Sequence, residues 1–143
     1  MRKFAIKSAL LSIFAIISLS NISIAQGNQY EVTITTLKGE SYHLVEVRGY
    51  GGFEFQCLQN KAEFKLKFDK IKSIQLEKKK KGQFRKAMVA LENGQMDEIW
   101  IKTSFKEKGS KTKTILLTIE GKSKEYGSLV RLNIKDIKKI NFL

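Results

Sequence analysis

The sequence predicts an all-β protein on three observations. Apolar and polar residues alternate with period two from Tyr30 onward, Gly and Asn interrupt the alternation at short intervals, and one alternating segment occurs twice. YEVTITTL (Tyr30 to Leu37) leads through Lys38-Gly39-Glu40 into SYHLVEV. Tyr50-Gly51-Gly52 then separates it from FEFQCL, and Asn60-Lys61 turns the chain into AEFKLKF. The second half runs through a similar series: FRKAMVAL, the turn Glu92-Asn93-Gly94-Gln95, MDEIWIKTSF, the polar loop KEKGSKTK, TILLTIEG and SLVRLNI. Runs rich in Val, Ile, Thr, Phe and Tyr between such turns are the mark of β-hairpins. The chain has no Pro, so Gly and Asn supply all its punctuation.

FKLKFDKIKSI (Phe64 to Ile74) and VRLNIKDIKKI (Val130 to Ile140) set the register of a repeat. Phe64, Leu66, Phe68, Ile71, Ile74 and Leu76 align with Val130, Leu132, Ile134, Ile137, Ile140 and Phe142 at a constant offset of 66. Every aligned residue is apolar, and a one-residue slip would turn a whole strand face toward water. The first turns align at 54 or 55, Leu37-Lys38-Gly39 with Leu91-Glu92-Asn93-Gly94, so the second copy carries about 11 extra residues, expected in its hairpin loops. The expected organisation is a β unit over 26–77, a basic linker over 78–83 and a second β unit over 84–143, after a leader over 1–25. A unit of that size is marginal alone. The two are expected to pack on each other or to join edges in one larger sheet.

Each unit reads as five strands, and the apolar spacing changes from two to three at Phe68, Ile71, Ile74 and at Ile134, Ile137, Ile140. A 3₁₀-like turn between the fourth and fifth strands produces such a change. A cationic amphipathic helix over 133–143 is the competing reading. With its Gly turn, central strands and the closing segments KFDKIKSI and NIKDIKKI, each unit resembles the small five-stranded barrels of the SH3-like and Sm-like class. The resemblance implies two tandem five-stranded units. It does not bring RNA binding with it, because the Asn/Asp pattern after the third strand and the Arg-Gly pair of the last turn are missing.

Arg2, Lys3 and Lys7, an uncharged run from Ser8 and Ser23-Ile24-Ala25 have the layout of a secretory signal peptide cut near Ala25. The expected location is outside the cytoplasm, periplasmic or secreted, with an uncleaved N-terminal anchor as the alternative. Removing the three leader cations takes the formal charge from +13 to +10. The cations are 23 Lys against 4 Arg, which points to hydrated surface charge rather than a dedicated nucleic-acid reader. Such a surface attracts anionic polymers and membranes weakly and in a salt-dependent way.

The catalytic inventory is thin. His43 is the only histidine and Cys57 the only cysteine, so neither multi-His metal sites nor an internal disulfide can form. Cys57 reads as a buried small hydrophobe. A thiolate pair of Cys57 with His43 across neighbouring strands is the one nucleophile arrangement to test. No cofactor is expected. Three places read as contact surfaces. Lys78, Lys79, Lys80 and Lys81 with Arg85 form a basic run; Arg48, Tyr50 and Phe53 surround a Gly-Gly loop; and Trp100 alternates against Ile99 and Ile101 and so faces away from the core. The expected function is a non-catalytic exported module that binds a protein or an anionic envelope polymer, with peripheral membrane contact and oligomerisation as further expectations. A structural subunit of an envelope assembly is the alternative.

Overall fold

The computed structural model describes residues 30–143, so the expected leader lies outside the described residues. Twelve strands follow one another: β1 (Glu31–Thr36), β2 (Ser41–Gly49), β3 (Glu54–Gln59), β4 (Ala62–Lys67), β5 (Ile71–Lys81), β6 (Phe84–Leu91), β7 (Met96–Lys102), β8 (Ser104–Glu107), β9 (Lys113–Leu116), β10 (Thr118–Ser123), β11 (Leu129–Asn133) and β12 (Ile137–Phe142). Short 3₁₀ turns at Phe68–Lys70 and Ile134–Asp136 precede β5 and β12. The period-two pattern is realised directly. In β1, Val32, Ile34 and Thr36 face inward, and in β7 Ile99 and Ile101 do so while Trp100 lies on the opposite face.

Ten strands form one sheet in the order β11-β10-β2-β1-β12-β5-β6-β7-β3-β4, and β8 pairs with β9 in a separate hairpin. The sheet order is palindromic under the repeat: β1 corresponds to β6, β2 to β7, β3 to β10, β4 to β11 and β5 to β12. At the centre Ile140 pairs with Ile74, its own repeat partner, while Lys139 faces Gln75 and Asn141 faces Ser73. A pseudo-twofold axis therefore passes between Ile74 and Ile140. Loop hydrogen bonds obey the same symmetry. The Leu37 amide donates to the Asp136 carbonyl at 2.8 Å, and its counterpart Glu92 donates to the Lys70 carbonyl at 3.0 Å.

The strands of 26–77 and 84–143 are interleaved rather than arranged as tandem units. One half of the sheet joins β1 and β2 to β10, β11 and β12, and the other joins β6 and β7 to β3, β4 and β5. The expected linker is the physical reason. β5 continues through Lys81, only Gly82 and Gln83 precede β6, and Lys81 pairs with Phe84. A two-residue connection of this kind is a hairpin. It fixes the fifth strand of the first copy beside the first strand of the second, and β1 is left to pair with β12.

The extra residues of the second copy can be placed. The copies differ by 55 at Gly39 and Gly94, whose amides donate to Thr36 and Leu91. They differ by 64 at Cys57 and Gly121, which face Phe64 and Val130, themselves 66 apart. Most of the insertion is thus the β8–β9 hairpin, with two residues in the β10–β11 turn. The competing helix at 133–143 is replaced by the 3₁₀ turn and β12. The turn explains only the first three-residue step. The second comes from register shifts at equivalent places, between Ile71 and Ser73 in β5 and opposite Thr35 and Thr36 in β12.

One core serves both halves. Phe68, Ile71, Ile74, Ile134, Ile137 and Ile140 are all buried, as the 66-residue alignment requires, and they join Val32, Ile34, Leu44, Val47, Phe55 and Ile119. Phe68 is packed by the rings of Tyr30, Phe53, Phe55 and Phe142 at 5.0 to 6.4 Å.

Candidate functional site

The β5–β6 hairpin sorts the basic run by strand alternation. Lys78 and Lys80 line a cleft of about 300 Å³ with Leu37, Arg85, Lys135 and Asp136. Lys81 lies on the other side, its Nζ 5.8 Å from the centre of the Trp100 ring. Among the described residues no carboxylate lies within ion-pair range of Lys78, Lys79, Lys80 or Lys81.

Arg85 departs from the expectation of an exposed contact. It is 1% exposed. It shares the inward phase of Ala87 and Val89 on β6, which carries its side chain under the second 3₁₀ turn. Its Nε donates to the Glu77 carbonyl at 2.9 Å. Its Nη1 is directed to the carbonyls of Ile134, Lys135 and Ile137 at 3.3, 2.9 and 2.9 Å. These dipoles keep the charge inside the protein. Burial pulls the guanidinium pKa down from its ordinary value, and the Asp136 carboxylate opposes that. Nη2 is buried with no hydrogen-bond partner among the described residues. Lys80 is paired directly opposite Arg85 across the hairpin, and like charges so placed repel.

The remaining expected contacts are dispersed. Tyr50 is exposed and its ring lies 5.5 Å from Phe105 on β8. Phe53 is exposed as well, at 37%, and one side of its ring packs against Tyr30 and Phe68. Arg48 lines a second cleft of about 410 Å³ with Tyr50, Leu116, Thr118, Glu120 and Arg131. There Glu120 is paired with both Arg48 and Arg131, so the charge is partly balanced. Thus Lys78, Lys80 and Arg85 come together, Lys81 and Trp100 form a separate contact, and the Arg48–Tyr50 cleft stands apart. Lys135 and Asp136 were absent from the sequence reading of this site. The only signal for them was the swap of Asp69-Lys70 to Lys135-Asp136 between the two copies.

Residues 26–143 match the model of a family described as "Uncharacterised protein". The chain belongs to that family. No curated protein matches the sequence.

Cys57 and His43 are not strand neighbours. Cys57 on β3 lies between Phe64 and Ile101, whereas His43 on β2 faces Thr33 of β1. The thiol donates to the Phe55 carbonyl at 3.7 Å, and burial pushes its pKa up to about 12, so it stays protonated. The His43 ring is hydrogen-bonded to Glu31, which also takes Lys124 Nζ at 3.1 Å. Those bonds, His43 first, hold the Glu31 carboxyl below its usual range. Among the described residues no group of three His, Cys, Asp or Glu side chains is placed to hold a metal, and no helix is long and apolar enough to cross a membrane.

Proposed function

We propose that the protein is a non-catalytic exported β module that binds an anionic polymer of the cell envelope through its basic hairpin. The observation that carries this reading is the hairpin itself: consecutive lysines extend a strand beyond the core with no carboxylate in ion-pair range among the described residues. Concentrating like charge costs self-repulsion, and an anionic ligand relieves it. The strong excess of Lys over Arg favours diffuse polymer attraction over base-specific readout. The protonated, enclosed Cys57 and the engagement of His43 with Glu31 argue against a Cys-His enzyme. The five strands in each half, with a 3₁₀ turn before the last, support reading the halves as two SH3-like units that have exchanged strands.

The test is retention of the purified protein on a polyanionic resin across a salt gradient. Replacing Lys78, Lys79, Lys80 and Lys81 together by Gln should reduce the salt slope by about the number of ion contacts removed. Equal retention of the two proteins at every ionic strength would remove the hairpin from the site. A second reading, an assembly subunit, is favoured by edge strand β11, whose Leu129 is 61% exposed beside Tyr126 at 83%. Light scattering that finds a monomer at high concentration dismisses it.

A further inference from the structure

We propose that the cleft over the second 3₁₀ turn is a seat for a phosphate group, with Arg85 in its wall and Lys78, Lys80 and Lys135 at its mouth. The inference rests on the anion-binding reading and gives it a chemical class and an address. Three observations converge. Arg85 is enclosed and its Nη2 lacks an acceptor, although the other side of the same guanidinium is satisfied by four backbone carbonyls. A buried donor without an acceptor is disfavoured, so an oxyanion that meets Nη2 once the side chain shifts to uncover it gains more here than at the open surface. The cleft that Arg85 lines is large enough for a small oxyanion and open to solvent through three exposed lysines.

Its charge selects among oxyanions. Four cationic side chains face a single carboxylate, Asp136, whose Oδ1 is 3.8 Å from Lys135 Nζ. A carboxylate ligand would neutralise one of these charges and present two oxygens. A phosphate carries about −1.5 to −2 charges near neutral pH and three strong acceptor oxygens. It can engage two ammonium groups at once, with the lysines as point charges over the buried Arg85 cation, and it reaches Nη2 only if a side-chain shift uncovers that atom. The equivalent corner of the other half lacks the chemistry. There Tyr30 stands at the position of Arg85, and Asp69 at that of Lys135.

The experiment follows the Arg85 guanidinium resonances and the amides of 134–137 by NMR at constant ionic strength. The additions are sodium phosphate, a glycerol-phosphate oligomer, sodium acetate or sodium chloride. Saturable shifts are expected with the phosphates, with affinity at least tenfold above acetate. Saturation by the oligomer marks a polymer phosphodiester as the source, and saturation by the free ion alone marks inorganic phosphate. Lys80→Gln with Lys135→Gln, both at exposed positions, should weaken phosphate binding about tenfold or more without unfolding the protein, so the outcome does not depend on replacing buried Arg85. Shifts that never saturate, or that match chloride, overturn the phosphate seat. If polyanion retention through Lys78 to Lys81 persists in that case, the broader reading survives; if retention is lost as well, both fail.

Discussion

The two 3₁₀ corners of the sheet have equivalent backbones and opposite chemistry. At the first, Phe68 meets the Tyr30 ring edge-on at 5.5 Å, and burial, then Asp69, push the Tyr30 phenol pKa up. At the second, Ile134 caps the core and Arg85 is directed to its carbonyl and those of its neighbours. Tyr30 and Arg85 are 55 residues apart, the same offset as the turns that follow them. One corner is therefore sealed by aromatic packing, the other by a cation that leaves a donor over. The two copies share the apolar positions that build the core and differ at the position beneath each turn. The corner that holds Arg is the one beside the lysine hairpin.

The comparison can be broken from either side. Phe68→Ala should have the largest effect, about 3–5 kcal/mol of stability, because four rings lose a shared partner. A loss under about 1 kcal/mol in urea denaturation would show that the aromatic corner is not the centre of packing. Arg85→Met keeps much of the volume but leaves buried carbonyls without a donor, and about 2–4 kcal/mol is expected. Tyr30→Phe, at the equivalent position, should stay within about 0.5 kcal/mol. Similar losses for the two would erase the distinction between the corners.

Gly121→Ala should cost about 1–3 kcal/mol. A Cβ there would sit 2.9 Å from the Val45 carbonyl oxygen and 3.0 Å from Val47 Cγ2, whereas its repeat partner Cys57 already accommodates a side chain. Cys57 itself links stability to alkaline pH. Its folded pKa of about 12 lies above the ordinary 9.0, so its contribution is fully present below pH 9 and is lost as pH rises toward 12. A Cys57→Ala protein should lack that component of the alkaline decline, and the native thiol should resist alkylation until the protein unfolds. The smallest effect belongs to Lys79→Gln, within about 0.5 kcal/mol in the same denaturation assay.

Much of this was legible in the residues. Period two identified the strands, and the constant offset from Phe64 to Leu76 identified the buried face of both copies, because the facing of a strand residue is a local property. The inward position of Arg85 was also legible, since it shares the phase of Ala87 and Val89, but a charged residue beside four lysines reads more easily as part of a surface run. The short connection at Gly82-Gln83 carried the signal for strand exchange, and the lysines around it suggested a linker instead. Lys135 was beyond reach. It is 50 residues from Arg85, and only the pairing of β5 with β12 brings the two together.

By itself, the sequence determined the all-β class, the repeat, the residues that make the core and the poverty of catalytic groups, all of which follow from side-chain type and spacing along the chain. Only the tertiary structure decided which copy's strand meets which. In a chain with two similar copies, β1 finds equivalent backbone donors and acceptors on β5 and on β12, so local pattern cannot choose between them. The choice came from geometry: a tight hairpin committed β5 to β6, left β12 for β1, and set Arg85 beneath a turn contributed by a distant part of the chain.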